Sequence, residues 1–423
     1  MIRKVKGTRD VLPPESRVWL AVEAAAHRVF GGFGYDEIRL PILEPTELFV
    51  RGVGEGTDIV AKEMYTFSDR KGRSLTLRPE GTAGVARAFI ENGLGQRPRP
   101  MRLSYFGPMF RYEKMQRGRY RQFSQIGIEL LGADTPQADV EVLLALHTFL
   151  AELDFDDLVI VLNNLGDPED RERFIAVLKS ELVPNRQELC GDCQRRWDAN
   201  PLRILDCKVE RCQEFVAETT PVSEVVSDQA RRHVETVREG LGEVGIPVRW
   251  APRLVRGLDY YLRTVFEVVS PKLGEATVIC GGGRYDRLIS DLGGQQVPGV
   301  GFAIGEDRLV EVLPGSFRRH VLERPTVVIL PVGGEVASAA LSIARELVGC
   351  GITVQTEVTG RSLKAGLKWA AKVGAEAALI LGEREAAEGA AIVRDLDHGE
   401  QEMVALDEVP GHLGRLLRGR ADS

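Results

Sequence analysis

No stretch of the 423-residue chain approaches the roughly 18 consecutive apolar residues that a membrane helix needs. The opening MIRKVKGTRDVLPPESR also lacks the apolar segment of a secretory signal, so a cytoplasmic protein is the expectation. Cysteine is scarce: six residues in so long a chain exclude a disulfide scaffold and leave free thiols or metal ligands. Positive charge is not in excess either. With 55 Lys and Arg against 62 Asp and Glu the net charge is −7, which excludes a chain coated in positive charge and confines any nucleic-acid contact to a local patch. No convincing internal repeat is found. What is present, 43% hydrophobic and 28% charged residues, is the composition of a folded globular protein of two to four domains.

A mixed apolar pattern over residues 14–33 suits a helix closed by Gly31 and Gly32. From Tyr35 to Pro108, short β-type runs alternate with Gly or Pro breaks and one helical run, which predicts an antiparallel α+β domain. Between about 167 and 245 the composition turns charged, Cys-bearing and helical, as expected of an inserted subdomain. After Pro325, strand-like and helix-like runs alternate, so 326–423 is expected to form a small α/β domain with a parallel or mixed sheet.

Residues 101–125 hold six basic side chains (Arg102, Arg111, Lys114, Arg117, Arg119, Arg121) and one acid, Glu113, a local reversal of the overall charge. A solvated basic loop is the plain reading. The flanks argue for more: YFGPMFRYE alternates so that Arg111 and Glu113 share a face, Gly118 supplies a turn, and RQFSQIGIEL returns as a second strand. On that strand Ser124, Ile126, Ile128 and Leu130 face one way, and Gln125, Gly127 and Glu129 the other. A row of Arg111, Glu113, Gln125 and Glu129 in an apolar sheet costs desolvation unless its members are paired or bind a charged ligand.

Two more arginines sit beside glycines: Arg256 before Gly257 in VRGLDYYLRTVFEVV, and Arg308 after the expected Gly305 turn. Three separated guanidinium forks suit a polyphosphate. The triplet Gly281-Gly282-Gly283 would let a ligand approach backbone, but as a motif it reads most simply as a turn and fits neither P-loop nor GxGxxG spacing.

The segments KGTRDVLP, LTLRPEGT, FRYE followed by GRYRQF, VRGLDYYLRTVFE, GGGRYD and GFAIGEDR occur in an order that resembles the histidyl-tRNA synthetase family, from about residue 6 into the C-terminal domain. The resemblance implies a class II fold in which an antiparallel sheet flanked by helices spans 1–325, interrupted by the insertion, with an anticodon-binding domain at 326–423. It further implies a homodimer with an interface near Pro41, and ligation of L-histidine to its tRNA through histidyl-adenylate.

By motif, Glu80, Gly81 and Thr82 would hold the histidine amino group, and Gln125 and Arg111 would face its carboxylate and the α-phosphate. Glu129 and Tyr261 would read the imidazole, with Tyr260 lining the pocket. Arg111 and Arg256 would be catalytic through charge on the α-phosphate. Arg308, with Glu113 and Arg119, would hold ATP, whose outer phosphates carry Mg²⁺; no organic cofactor is implied. The carboxylate nucleophile is already ionised at neutral pH, so no general base is needed.

The loop residues Lys114, Gln116 and Arg117 would meet the tRNA acceptor stem. Here the loop reads Lys114-Met115-Gln116 where Arg-Pro-Gln is common in the family, and Ser124 stands where His is frequent; both lie outside the implied histidine and ATP contacts. The alternative within the same likeness is the noncatalytic regulatory subunit of ATP phosphoribosyltransferase. Such a protein drops the C-terminal domain and erodes the arginines that this chain keeps.

Lys364, Lys368 and Lys372 recur every four residues and line one face of a helix. By itself that is a solvated face; on a synthetase-like chain it becomes a backbone-tracking surface for the anticodon arm. Cys190, Cys193, Cys207 and Cys212 form C-x2-C-x13-C-x4-C, compatible with four-thiolate zinc, although free thiols are the simpler expectation and the family is not defined by such a site.

Overall fold

The computed structural model describes residues 2–115, 118–270, 278–322 and 326–421. The chain separates into two units, Met1–Arg318 and Arg319–Ser423. The first is built on an eight-stranded sheet. Its strands lie in the order Asp36–Glu37, Met101–Phe110, Gln122–Leu131, Gly299–Gly305, Val278–Arg284, Leu262–Val269, Val159–Asn164 and Val248–Trp250. The six central strands pair antiparallel, and each edge strand adds in parallel.

Alternation decides which face is covered. Ile126, Ile128 and Leu130 point with Val300, Phe302 and Ile304 toward the helices Glu15–Gly32 and Pro136–Glu152, and all six are buried. Phe30 joins this layer, with ring centroids 5.2 Å from Phe149 and 5.9 Å from Phe302. The opposite face carries the candidate site.

The parallel pair Val159–Asn164 and Val248–Trp250, at one end of the sheet, brackets the chain's helical excursion, including Pro168–Leu182, Gly191–Ala199, Glu210–Ala217 and Asp228–Glu243. The last of these packs on Pro136–Glu152, where the fully buried Arg284 is paired with Asp139, and Asp139 also meets His233 at 3.4 Å. A charge buried this deeply is tolerable because Ala133 O, Thr135 O and Asp286 take its other N–H groups.

Two local expectations change. The first strand of the basic hairpin ends at Phe110, so Arg111 and Glu113 project from the loop beyond it. The glycine triplet does not turn; it lies inside the strand Val278–Arg284, held by neighbours on both sides. Strand pairing here overrides the local preference of glycine, and close packing explains why. A Cβ on Gly282 would fall 2.2 Å from Gly301 O and 2.7 Å from the Phe266 ring.

In the second unit, Thr353–Thr356, Thr326–Val332 and Ala377–Gly382 are parallel, and Ala390–Asp395 and Gln401–Ala405 then continue antiparallel, giving a mixed sheet. The connection between Gly382 and Ala390, holding the short helix Glu383–Ala387, is below the dozen or so residues that a parallel crossover requires, and Gly389 at φ +67° reverses the chain. Among the described residues no helix is long and apolar enough to cross a membrane.

Candidate active site

Antiparallel register sets Tyr105, Gly127, Ala303, Gly281 and Glu267 side by side across five strands, on the face away from the helices. A second row runs through Leu103, Glu129, Gly301 and Gly283. The middle of both rows is nearly bare of side chains, and longer groups from elsewhere lie down in the space. A Cβ on Gly127 would sit 2.4 Å from the Tyr105 ring, one on Gly281 would sit 2.2 Å from the Arg256 guanidinium, and one on Gly301 would sit 1.9 Å from Glu129 Oε2. The floor is therefore a glycine trough shaped to hold three particular side chains flat.

One wall comes from the turn between Ser74–Leu77 and the helix Thr82–Glu91. Glu80 caps that helix, its carboxylate accepting from the N–H of Thr82 at 2.7 Å and of Ala83 at 2.8 Å. Burial nevertheless raises the Glu80 pKa, against those backbone donors. Thr82 donates its hydroxyl hydrogen to Glu129 Oε1 at 2.6 Å, and Tyr285 donates to Oε2. The Thr82 oxygen thereby keeps its lone pairs for a donor in the cleft. Glu129 is fully buried beneath this wall, and burial pushes its carboxyl up to about 8 despite the two hydrogen bonds.

The arginines approach from opposite sides. Arg111 donates from Nε to Pro79 O at 2.8 Å, lies 5.3 Å from the Phe123 ring centre, and faces Glu113 at 3.6 Å, while Arg119 meets the other Glu113 oxygen at 3.5 Å. Arg256 is paired with Glu267 through Nη1, and its buried Nε has no partner. The buried Oε1 of Gln125 also lacks one. Burial lowers the pKa of Arg308 and the neighbouring Arg119 lowers it further, against the opposing pull of the Glu267 and Glu311 carboxylates.

These groups border one cleft of about 670 Å³. Of the residues expected from sequence, Glu80, Thr82, Arg111, Glu113, Arg119, Gln125, Arg256, Tyr260, Tyr261 and Arg308 line it together. Gly81 packs behind the turn, where a Cβ would fall 2.2 Å from Tyr105, and Glu129, covered by Thr82 and Tyr285, lies outside the lining. Lys114 is exposed and outside the lining, and Gln116 and Arg117 lie outside the described residues. Lys364, Lys368 and Lys372 are exposed on the helix Leu363–Lys372 of the second unit.

Three contributors had no role assigned from sequence: Tyr285, which holds Glu129; Glu267, which holds Arg256; and Glu63, beside Glu113. An acid in the middle of the β-branched run LRTVFEVV was the available signal for Glu267. For Tyr285 and Glu63 the signal is proximity alone, which no spacing encodes.

The family model for histidyl-tRNA synthetase matches residues 7–309, the part of the chain that builds this cleft. The chain belongs to the histidyl-tRNA synthetase family. A second model, described as an anticodon binding domain, matches residues 326–416 of the second unit.

Among curated members of the family, the histidine–tRNA ligase of Desulforudis audaxviator is 46% identical over 420 residues, covering 99% of this chain and 100% of that one. The ligase of Desulfatibacillum aliphaticivorans is 44% identical over 417 residues, covering 99% of both chains. The crystal structure of apo S. aureus histidyl-tRNA synthetase superposes with a TM-score of 0.78 at 33% identity, over 97% of this chain and 99% of that one. Family membership accounts for the α+β class of the fold and for a sheet that offers one face to helices and the other to ligand.

Proposed function

We propose that this chain is an ATP-dependent histidine–tRNA ligase, which condenses L-histidine with ATP to histidyl-adenylate and transfers the histidyl group to its tRNA. The observation that carries the reading is the trough itself: a glycine-lined floor, with Arg256 laid flat on Gly281 at one side and Arg111 tied to Pro79 O at the other. Two cations fixed by backbone and packing need no rearrangement when charge develops between them.

Histidine would enter with its ammonium toward Glu80 and the Thr82 oxygen, leaving its imidazole to Tyr261, Tyr260 and, beneath them, Glu129. A pocket built from polar groups that need partners rejects side chains that leave them unpaired. The unpartnered Gln125 amide oxygen supports a polar ligand at the carboxylate end. That carboxylate attacks the α-phosphorus, its oxygen forming the new P–O bond as the bond to pyrophosphate breaks. Arg111 and Arg256 stabilise the charge at that centre, and Arg308 with Arg119 would hold the outer phosphates, whose charge relieves their mutual repulsion.

Glu63 and Glu113 fit the magnesium ion that accompanies ATP. Burial and the neighbouring Glu113 carboxylate raise the Glu63 pKa, and a divalent cation held by the two carboxylates would offset that repulsion while its charge is shared with the phosphates. In the second half-reaction the terminal ribose hydroxyl of tRNA attacks the adenylate carbonyl and AMP leaves. Lys114, Gln116 and Arg117 would meet the acceptor end, and Lys364, Lys368 and Lys372 the anticodon arm. A cytoplasmic homodimer is the form in which the chain would work.

The decisive experiment is amino-acid-dependent ATP–pyrophosphate exchange without tRNA. Exchange with histidine, and with none of the other amino acids, is expected. Absence of exchange under conditions where the protein is folded and binds histidine would replace this reading with the noncatalytic regulatory one.

A further inference from the structure

Cys190, Cys193, Cys207 and Cys212 come from three pieces of the helical excursion. Cys190 and Cys193 stand at the start of the helix Gly191–Ala199, Cys207 follows the turn Pro201–Ile204, and Cys212 lies in the first turn of Glu210–Ala217. Their sulfur atoms all lie within 4.8 Å of one another, with Cys190 Sγ and Cys207 Sγ 3.7 Å apart, and none is in a disulfide. Four thiolates bound tetrahedrally to one zinc ion at about 2.3 Å stand about 3.8 Å from each other. The cluster thus has the dimensions of a four-sulfur metal shell.

Small apolar thiols packed for volume would also be buried, but they would not need donors. Here two backbone N–H groups are aimed at sulfur, Cys190 N–H at Cys212 Sγ (3.3 Å) and Val209 N–H at Cys207 Sγ (3.4 Å). Such donors stabilise thiolates, as do the positive ends of the two helices on which three of the cysteines sit. Three of the four thiols are buried, in a region that assembles its core from short helices and turns. A region of that kind gains most from a staple.

We propose that these four cysteines bind one zinc ion as thiolates, and that the ion fixes the wall of the catalytic cleft. Arg196 and Arg203, which lie between the two cysteine pairs in sequence, reach Asp58 at 3.1 and 3.8 Å, and Asn200 donates to Asp259 at 2.5 Å. Cys190, Cys207 and Lys208 border the cleft directly. Four thiolates with no open position make this a structural site rather than a catalytic one, and soft sulfur ligands in a tetrahedral set select zinc over magnesium.

The full chain, purified without affinity metal or chelator, should contain about one zinc per chain by mass spectrometry of total metal. Titrating it with an organomercurial thiol reagent in the presence of a metallochromic indicator should release that zinc in step with loss of the four thiols. Cobalt exchanged into the wild-type chain should give the visible absorption of tetrahedral thiolate cobalt, a readout that needs no variant to fold. The double variant Cys193→Ser, Cys212→Ser should lose the metal and show a lower melting temperature. Metal below about a tenth of an equivalent in the untreated chain, or zinc kept by the double variant, would overturn the proposal. Metal content and cobalt absorption are read without the histidine-dependent exchange reaction, so the two readings fail separately.

Discussion

The guanidinium group of Arg256 rests on the backbone of Gly281, at a spot where a single added methyl group would lie 2.2 Å from it. The position of the cation is therefore set by the absence of a side chain on the neighbouring strand. Gly281→Ala should displace Arg256 and lower ATP–pyrophosphate exchange by about 10² or more, approaching the roughly 10²- to 10³-fold loss expected for Arg256→Ala. Exchange rates of the two variants, with circular dichroism to confirm the fold, check the relationship. Wild-type exchange in Gly281→Ala would mean that Arg256 works from another position.

Thr82 stands between the cleft and the buried Glu129, donating to it at 2.6 Å. Thr82→Val removes that donor and the oxygen that faces the cleft while keeping most of the volume. The expected result is a KM for histidine raised about tenfold and a lower melting temperature, the ordinary cost of a lost hydrogen bond to a buried charged or polar partner. Steady-state exchange kinetics against histidine concentration separate this from a change in turnover alone.

Glu306 is buried beside Glu23 and Asp307 with Oε1 unpartnered, and burial, followed by those two carboxylates, pushes its pKa up to about 9. A carboxyl that holds its proton more tightly when folded favours folding at low pH. That advantage is complete below the unfolded value near 4.5 and drains away as pH rises to about 9. Wild-type stability should accordingly fall between pH 5 and 9, with a slope from this one group of at most about 1.4 kcal/mol per pH unit. Glu306→Gln should flatten the curve by that one proton. Urea denaturation at a series of pH values measures it, and parallel curves for the two proteins would count against the assignment. Glu129, raised to about 8, adds a slope of the same sign that the variant leaves in place.

Replacing Lys364, Lys368 and Lys372 together by Gln should weaken tRNA binding and reduce the magnitude of the slope of log K against log salt by about 2 to 3, since each lysine that tracks a phosphate releases about one counterion. Histidine-dependent exchange without tRNA should be unchanged. An unaltered salt slope would leave the three lysines as a solvated helix face.

Much of the site could be read before its geometry was known, because its chemistry is written in contiguous runs. LRPEGT becomes the strand, turn and cap that place Glu80 and Thr82, and RGLDYY carries Arg256, Tyr260 and Tyr261 into one wall. Three features were not legible, for different reasons. Alternation extended the first hairpin strand through Glu113, whereas the strand ends at Phe110, with Arg111 N–H still donating across the hairpin to Arg121 O while its side chain reaches Pro79 O. Gly281-Gly282-Gly283 carries turn residues by propensity, and only long-range pairing with Phe302 and Phe266 keeps it extended. Cysteine spacing left two readings open because it reports separation along the chain, while a metal shell depends on separation in space.

The trough beneath the cleft is made of atoms that are missing, and this gives the protein a one-sided mutational neighbourhood. Any replacement of Gly127, Gly281 or Gly301 adds matter where Tyr105, Arg256 or Glu129 already lies. A side chain on the walls, such as Gln125 or Tyr261, can at least be replaced by a smaller one. The floor has no smaller alternative to sample, and the places of Tyr105, Arg256 and Glu129 are consequently much less free to drift than those of the side chains around them.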